Sequence, residues 1–240
     1  MNVIIPMAGL GSRFRQAGFS IPKPLIPVLG RPMYAWATES LPLQHATTLL
    51  FVLLKPQPEF ADLRRDILER YAAHNPVVLD VPALTAGQAV TVLAAAALID
   101  NEKELLIHNA DTAFTIRHDW VTEARRAQAD GALLVFDSTE RRWSYSREDA
   151  DGRVVEVREK VVISNHASTG TYYFRRGADF VRLARRRLNQ QGKESGEYYV
   201  GPLYNDLIAA GGQVRNYPID KLYCFGTPED FEATVKMLQA

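Results

Sequence analysis

The sequence lacks several features that would each point to a particular class of protein. It has one cysteine, so no disulfide can form within the chain, and no apolar run approaches the ~20 residues that a membrane-spanning helix needs. Lys plus Arg equal Asp plus Glu at 28 each, so no net positive field attracts nucleic acid or an anionic membrane. The chain starts on a strand-like run instead of a signal-peptide pattern. We therefore expect a cytoplasmic protein that binds neither nucleic acid nor membrane.

The first part of the chain alternates between strand-like and helix-like segments. The 240 residues are 47% hydrophobic, which is enough for one domain with a buried core. Apolar runs predict strands at 3–5, 48–54, 77–81, 105–107 and 132–136, and helical spacing predicts helices at about 33–41, 58–73, 87–99 and 120–128. This alternation predicts an α/β fold with a mostly parallel sheet covered on both faces, which is a three-layer, Rossmann-like architecture.

The pattern changes after about residue 140. Two strand-like runs, 143–147 and 154–158, flank Asp151-Gly152 and are typical of a β-hairpin. Further strands are predicted at 171–174, 214–217 and 221–225, and helices at 178–188, about 200–209 and from Pro228 onward. The polar, glycine-rich segment 191–196 is predicted to be a mobile loop. The second half is therefore expected to be largely antiparallel, within a single domain.

The stretch that follows the first strand has the residues of an anion site. Gly9 and Gly11 stand two apart, Arg13 follows, and Lys23 lies between two prolines. Glycine lets backbone N–H groups approach phosphate oxygens, while arginine offers a fork of donors and lysine a point charge. The stretch is neither a P-loop nor a dinucleotide fingerprint, since no GK[ST] is present and Phe14 stands where a third glycine would be. Because ligands collect at the carboxyl ends of parallel strands, Asp111 is expected on the same rim.

The string G-x-G-S-R-F followed by P-K-P-L resembles the signature of the sugar-1-phosphate nucleotidyltransferases, also called nucleoside-diphosphate-sugar pyrophosphorylases. Further motifs occur in that family's order over nearly the whole chain. The resemblance implies a GT-A-like sheet, with residues 1–140 as a nucleotide-binding half and 141–240 as an antiparallel, acceptor-binding subdomain. It implies catalytic roles for Arg13, Lys23 and Asp111, with Mg²⁺ on Asp111. It implies nucleotide binding by Ala8, Gly9, Gly11, Ser12, Arg13, Gly87 and Gln88, and acceptor binding by Asn109, Glu159, Lys160, Gly170 and Glu197.

One position departs from the family's pattern. The family usually has a second metal-binding aspartate two residues before the G-T-P of the last helix, and this chain has Cys224 there. Magnesium prefers oxygen ligands, so Cys224 is expected to be a small buried residue. Asp220 could replace the aspartate only through a different backbone path. The predicted metal site therefore consists of Asp111, phosphate oxygens and water.

The reaction that these residues suit is the joining of two phosphate compounds. Both reactants are anions, so catalysis depends on positioning and on positive charge: Arg13 for the triphosphate, Lys23 for the transferring phosphate and Lys160 for the acceptor phosphate. We expect a nucleoside triphosphate and a sugar 1-phosphate to give a nucleotide sugar and pyrophosphate, for capsule or lipopolysaccharide synthesis. The base, the sugar and self-association stay open.

Three alternatives to this function remain. The aromatic residues Trp143, Tyr145, Tyr172 and Tyr199 would permit a cytidylyltransferase that acts on a non-sugar phosphate such as phosphocholine. Asn109-Ala110-Asp111 is one residue short of a DxD motif, which would fit a glycosyltransferase. Cys224 would fit a nucleotide-sugar binder without catalysis.

The histidines and serines carry less information. The five histidines share no metal-like spacing, although His108 borders the loop of Asp111. Ser12, Ser168 and Ser195 lack the His and Asp partners that would make a serine nucleophilic. Glu197 either binds acceptor hydroxyls or caps the following helix.

Overall fold

The computed structural model describes residues 1–55, 60–194 and 196–239. Within these ranges the strands are β1 (Asn2–Met7), β2 (Pro27–Val28), β3 (Arg31–Pro32), β4 (Thr48–Leu54), β5 (Val77–Val81), β6 (Leu105–His108), β7 (Thr112–Thr115), β8 (Gly131–Asp137), β9 (Ser144–Glu148), β10 (Val154–Glu159), β11 (His166–Phe174), β12 (Val214–Pro218) and β13 (Lys221–Cys224). The helices are α1 (Ser12–Gln16), α2 (Met33–Glu39), α3 (Ala61–Arg70), α4 (Gln88–Leu93), α5 (Ala96–Ile99), α6 (Trp120–Arg126), α7 (Gly177–Asn189), α8 (Leu203–Ala209) and α9 (Pro228–Gln239). No helix within the described ranges is both long enough and apolar enough to cross a bilayer.

Parallel strands form the centre of the sheet. β6, β1, β4 and β5 lie side by side, and Asn2 of β1 pairs with Thr48 on one side and Leu105 on the other. Ile4 packs into one hydrophobic core, whereas Val3 and Ile5 pack into a second core on the opposite face. A strand covered on both faces needs an unbroken apolar run, because successive side chains point to opposite faces. The predicted α/β fold is confirmed.

The second half of the chain extends this sheet with antiparallel strands. β11 pairs with β6 through residues 171–174 and with β8 on its other edge. The β9–β10 hairpin joins β11 at Ala167, which pairs with Tyr145 beyond the carboxyl end of β6. β12 adds to β8 in parallel. The antiparallel hairpin therefore stands beside the rim at which the parallel strands end.

Some elements differ from the sequence-based predictions. The helix predicted over 87–99 is two helices, α4 and α5, and α1 and β7 were not predicted at all. β7 pairs with β13 so that Thr112 lies opposite Cys224, a pairing between distant segments that no local pattern reveals. Two predictions concern segments that lie partly outside the described residues. One is the helix at 58–73, at its first residues, and the other is the loop at 191–196, which contains Ser195.

Candidate functional site

A cleft of about 700 Å³ opens at the carboxyl ends of the parallel strands, a size within the range of small-molecule sites. Its walls come from the β1–α1 loop, the segment before α4, the β6–β7 loop, the β9–β10 hairpin, β11 and the residues that precede α9. Ser12 does not line the cleft, because Gly11 adopts a left-handed φ of 60° and Ser12 then begins α1 with an exposed side chain. The other predicted site residues all line it: Ala8, Gly9, Gly11, Arg13, Lys23, Gly87, Gln88, Asn109, Asp111, Glu159, Lys160, Gly170 and Glu197.

Lys23 and Asp111 form an ion pair beside the β1–α1 loop. The Nζ atom of Lys23 donates to Oδ2 of Asp111 at 2.6 Å and to the carbonyl oxygen of Gly226 at 2.9 Å. A Cβ on Gly11 would lie 2.9 Å from Cβ of Lys23, so only glycine lets the β1–α1 loop pack this closely against the Lys23 turn. The structure thus brings together residues that are 88 positions apart.

Lys23 and Arg13 have different environments. Burial raises the pKa of the Asp111 carboxyl, but the charge and the hydrogen bond of the Lys23 ammonium, with smaller contributions from other neighbours, together lower it by more, so the net shift is downward and Asp111 is ionised at neutral pH. Arg13 was expected in a loop but lies in the first turn of α1. Its side chain is exposed, and it forms no ion pair with the described part of the chain. Lys23 is therefore structurally engaged, whereas Arg13 is available to an incoming anion.

His108 fixes the loop that carries Asp111. The imidazole is fully buried, with Nε2 2.7 Å from the carbonyl oxygen of Thr112 and Nδ1 2.8 Å from Oγ1 of Thr171. Because a carbonyl can only accept, Nε2 carries the proton and Nδ1 accepts from the hydroxyl. Burial lowers the pKa of His108 to about 4, so the ring stays neutral at pH 7. Both nitrogens are occupied, and His108 supports the site without binding a ligand.

A chain of contacts connects the two sides of the cleft behind Asp111. Nε2 of Gln88 donates to Oδ1 of Asn109 at 2.6 Å, and the backbone N–H of Asn109 donates to the carbonyl oxygen of Gly170 at 3.2 Å. Gly170 has a left-handed φ of 79°, and a Cβ there would lie 2.0 Å from Nδ2 of Asn109. Gly170 is therefore required both by its backbone conformation and by the Asn109 side chain.

Gly170→Ala is expected to lower the free energy of unfolding by about 1–3 kcal/mol, because the methyl group must displace Asn109 and the backbone is strained. Turnover should fall as well, since Asn109 holds Gln88. Gly9→Ala is the control for stability, because a Cβ there meets no atom within 4 Å. Chemical denaturation of both variants would show whether only the first one is destabilised.

One wall of the cleft carries a buried carboxylate beside a lysine. The Glu159 side chain accepts a hydrogen bond from Oγ of Ser144 at 2.6 Å, and burial raises the pKa of its carboxyl. Lys160 has a left-handed φ of 58°, and its Nζ atom donates to the hydroxyl of Tyr199 at 2.8 Å. Glu197 is exposed at the edge of the same wall. A carboxylate that can accept hydrogen bonds and an ammonium that can attract an anion thus lie next to each other.

Glu159→Gln is expected to stabilise the protein at neutral pH by about 1 kcal/mol and to have no stabilising effect below about pH 4. Because the folded-state pKa of Glu159 is raised, the stability of the protein falls as the pH rises from the unfolded-state pKa to the folded-state pKa, and the loss is complete above the latter. Glu156, on the same strand, is the control, since hydrogen bonds from Arg158 and Arg147 lower the pKa of its carboxyl. Thermal unfolding of Glu156→Gln should therefore show a loss of stability at neutral pH, whereas Glu159→Gln should show a gain.

Arg142 and Asp230 also line the cleft, and sequence reasoning had missed them as site residues. Nη1 of Arg142 lies 2.7 and 2.6 Å from the two carboxylate oxygens of Asp230, and its guanidinium carbon lies 4.4 Å from the centre of the Trp143 ring. Asp230 also exchanges hydrogen bonds with Thr227 at 3.2 Å, which caps the start of α9. Arg142 belongs to no recognisable pattern. The pair connects the segment that precedes β9 to α9.

Cys224 and Asp220 differ in their relation to the site. Cys224 was expected to be a small buried residue, and it is half-buried in the cleft wall, because the β7–β13 pairing places it beside the Asp111 loop. Burial raises the pKa of its thiol to about 12, so the sulfur is protonated. Asp220 pairs with Arg117 at 2.9 Å on the surface and does not line the cleft. Neither residue supplies a second carboxylate next to Asp111.

The charges of the lining residues balance. Arg13, Lys23, Arg142 and Lys160 contribute positive charge, and Asp111, Glu159, Glu197 and Asp230 contribute negative charge. Among the described residues, no three His, Cys, Asp or Glu side chains form a group that could hold a metal. Asp111 alone nevertheless suits magnesium, which commonly binds one or two carboxylates and completes its shell with phosphate oxygens and water.

Comparisons with known proteins agree on the fold and the reaction class. A sequence profile described as nucleotidyl transferase matches residues 2–211. The chain is similar to a nucleoside-diphosphate-sugar pyrophosphorylase from Vibrio cholerae RC9, with 27% identity, a TM-score of 0.84, and coverage of 98% of this chain and 99% of that one. It shares its fold with a UDP-glucose pyrophosphorylase complexed with UDP-glucose (17% identity, TM-score 0.80, coverage 99% and 98%). It also shares its fold with an inositol-1-phosphate CTP transferase from T. maritima (14% identity, TM-score 0.74, coverage 100% and 96%).

Proposed function

Because the chain belongs to the nucleotidyl transferase family, we propose that it joins a nucleoside triphosphate to a sugar 1-phosphate and releases pyrophosphate. The observation that carries this proposal is a single cleft in which the Lys23–Asp111 pair and the glycine loop face Glu159 and Lys160. In this proposal, residues 1–140 form the nucleotide-binding half of one domain and residues 141–240 form the acceptor-binding half.

The chemistry needs positioned charge rather than a nucleophilic side chain. An oxygen of the acceptor phosphate forms a bond to the α-phosphorus, and the bond from that phosphorus to the bridging oxygen breaks, so that pyrophosphate leaves with the electron pair. Arg13 is exposed at the mouth of the glycine loop and would bind the triphosphate. Lys23 would stabilise charge on the transferring phosphate, and Lys160 would hold the phosphate of the acceptor.

Magnesium belongs to this proposal, with Asp111 as the carboxylate that would hold it. Two polyanions must share a cleft whose four cationic side chains are offset by four carboxylates. Protein charge alone therefore leaves the phosphates largely uncompensated, and a divalent ion supplies the missing positive charge.

The acceptor side favours a polyhydroxylated phosphate over phosphocholine. The Trp143 ring already faces Arg142, and Lys160 lies 5.0 Å from the centre of the Tyr199 ring, so a quaternary ammonium would meet two resident cations. Tyr145, which was considered for such a cage, is fully buried and does not line the cleft. Ser144, Glu159 and Glu197 instead offer hydrogen-bond partners to hydroxyl groups.

We further propose a cytoplasmic role in making activated sugars for capsule or lipopolysaccharide, which the family resemblance supports.

A matrix of nucleoside triphosphates against phosphorylated acceptors tests the proposal. Glucose 1-phosphate, inositol 1-phosphate and phosphocholine would each be incubated with every triphosphate, with pyrophosphate release and phosphorus NMR as readouts. We expect release only when both substrates and Mg²⁺ are present, and no release in EDTA.

Activity confined to preformed nucleotide sugars would indicate a glycosyltransferase, and binding without turnover would indicate a non-catalytic binder. Indifference of turnover to EDTA would contradict the magnesium assignment.

A further inference from the structure

Lys160 is held in place by one neighbouring side chain. A lysine ammonium at the end of a flexible four-carbon stem is poorly positioned unless other groups fix it. Its Nζ atom donates to the Tyr199 hydroxyl at 2.8 Å and lies 5.0 Å from the centre of the same ring. The backbone is fixed as well, because the N–H of Lys160 donates to the carbonyl oxygen of Trp143 and its φ of 58° is left-handed.

Tyr199 is in turn fixed by the nucleotide side of the cleft. The backbone N–H of the preceding residue, Tyr198, donates to the carbonyl oxygen of Ala86 at 3.0 Å, and its carbonyl oxygen accepts from the N–H of Ala89 at 2.9 Å. A Cβ on Gly87 would lie 2.6 Å from the Tyr198 nitrogen, so the two backbones are in direct contact. The loop that opens α4 thereby fixes the backbone of Tyr198, from which the chain continues to Tyr199.

We propose that Tyr199 is a positioning residue that holds Lys160 for the phosphate of the acceptor, and that the Gly87 loop fixes it from the nucleotide side. This inference rests on the proposed function. Tyr199 accepts a hydrogen bond from Lys160, and this role does not require Tyr199 to touch the reacting atoms. Loss of its hydroxyl should therefore weaken acceptor binding and leave triphosphate binding intact.

Tyr199→Phe tests the inference kinetically, because phenylalanine keeps the ring and removes only the hydroxyl. We expect the acceptor KM to rise about five- to tenfold, while the triphosphate KM and the thermal midpoint stay nearly unchanged. In a Lys160→Ala background the same change should alter the acceptor KM by less than about twofold. Tyr223→Phe is the matched control, since Lys221 lies 5.3 Å from that ring and Tyr223 does not line the cleft. An unchanged acceptor KM in Tyr199→Phe would overturn the inference.

A second measurement does not depend on turnover. The chain has seven lysines, so the Cε signals of ¹³C-labelled lysine can be resolved by NMR, and Lys160→Arg would assign the relevant one. The hydrogen bond that Lys160 donates to the Tyr199 hydroxyl raises the pKa of Lys160, so this signal should titrate at lower pH in Tyr199→Phe. Inorganic phosphate should shift the signal in the wild type at about fivefold lower concentration than in the variant.

The two readouts separate failure of the inference from failure of the proposed function. If phosphate shifts the Lys160 signal equally in both proteins, Tyr199 does not position Lys160, whatever reaction the protein catalyses. If the signals differ as expected but the substrate matrix yields no pyrophosphate, the positioning stands for a phosphate ligand, and the proposed reaction is wrong.

Discussion

Asp111→Asn is expected to lower turnover by at least about 100-fold, the scale seen when one charge-stabilising group is removed from an active site. Asparagine keeps the shape of the side chain but not its charge, so Lys23 loses its ion-pair partner and magnesium loses its proposed carboxylate. Steady-state kinetics would measure the first effect, and Mn²⁺ binding followed by electron paramagnetic resonance would measure the second without turnover.

Asp220→Asn is the matched control for Asp111→Asn. Asp220 immediately precedes β13 and pairs with Arg117 on the surface, so its loss should change neither turnover nor Mn²⁺ affinity. Near-wild-type turnover of Asp111→Asn would remove the central residue from the proposed mechanism. Equal Mn²⁺ affinity in that variant would place the metal elsewhere.

Lys23→Ala is expected to lower both turnover and stability, whereas Arg13→Ala should lower turnover alone. Removal of Lys23 leaves Asp111 and the Gly226 carbonyl oxygen without their donor, at a cost of about 1–3 kcal/mol. Turnover should fall about 100-fold or more because positive charge at the transferring phosphate is lost. Arg13 is exposed, so Arg13→Ala should reduce turnover more than about tenfold with an unchanged melting temperature.

Kinetics together with chemical denaturation separate these two variants. The expected pattern is a loss of activity in both and a loss of unfolding free energy in Lys23→Ala only. Equal stability of both variants would mean that the Lys23–Asp111 pair contributes nothing measurable to folding. Normal turnover in both would contradict the phosphate site.

Much of the fold follows from local sequence patterns. The apolar runs at 48–54 and 77–81 predict β4 and β5 with the observed bounds, because a strand buried on both faces needs an uninterrupted apolar segment. Asp151-Gly152 predicts the hairpin of β9 and β10 because its turn chemistry is local. The sequence also determines the residue types of the anion site, since the glycine loop, Arg13 and Lys23 follow one strand closely along the chain.

The tertiary structure decides which of these residues meet. The Lys23–Asp111 bond, the Arg142–Asp230 bond and the placement of Cys224 at the cleft all depend on contacts between segments that are about 90 to 110 positions apart. β7 is a strand because β13 pairs with it. A segment of four residues is too short for an alternation of apolar and polar side chains to predict a strand. Local propensity and periodicity specify the elements, but the packing of distant segments fixes side-chain partners, burial and pKa. Hence the sequence by itself determined the elements and the chemical groups, and only the folded chain decided which groups share the cleft.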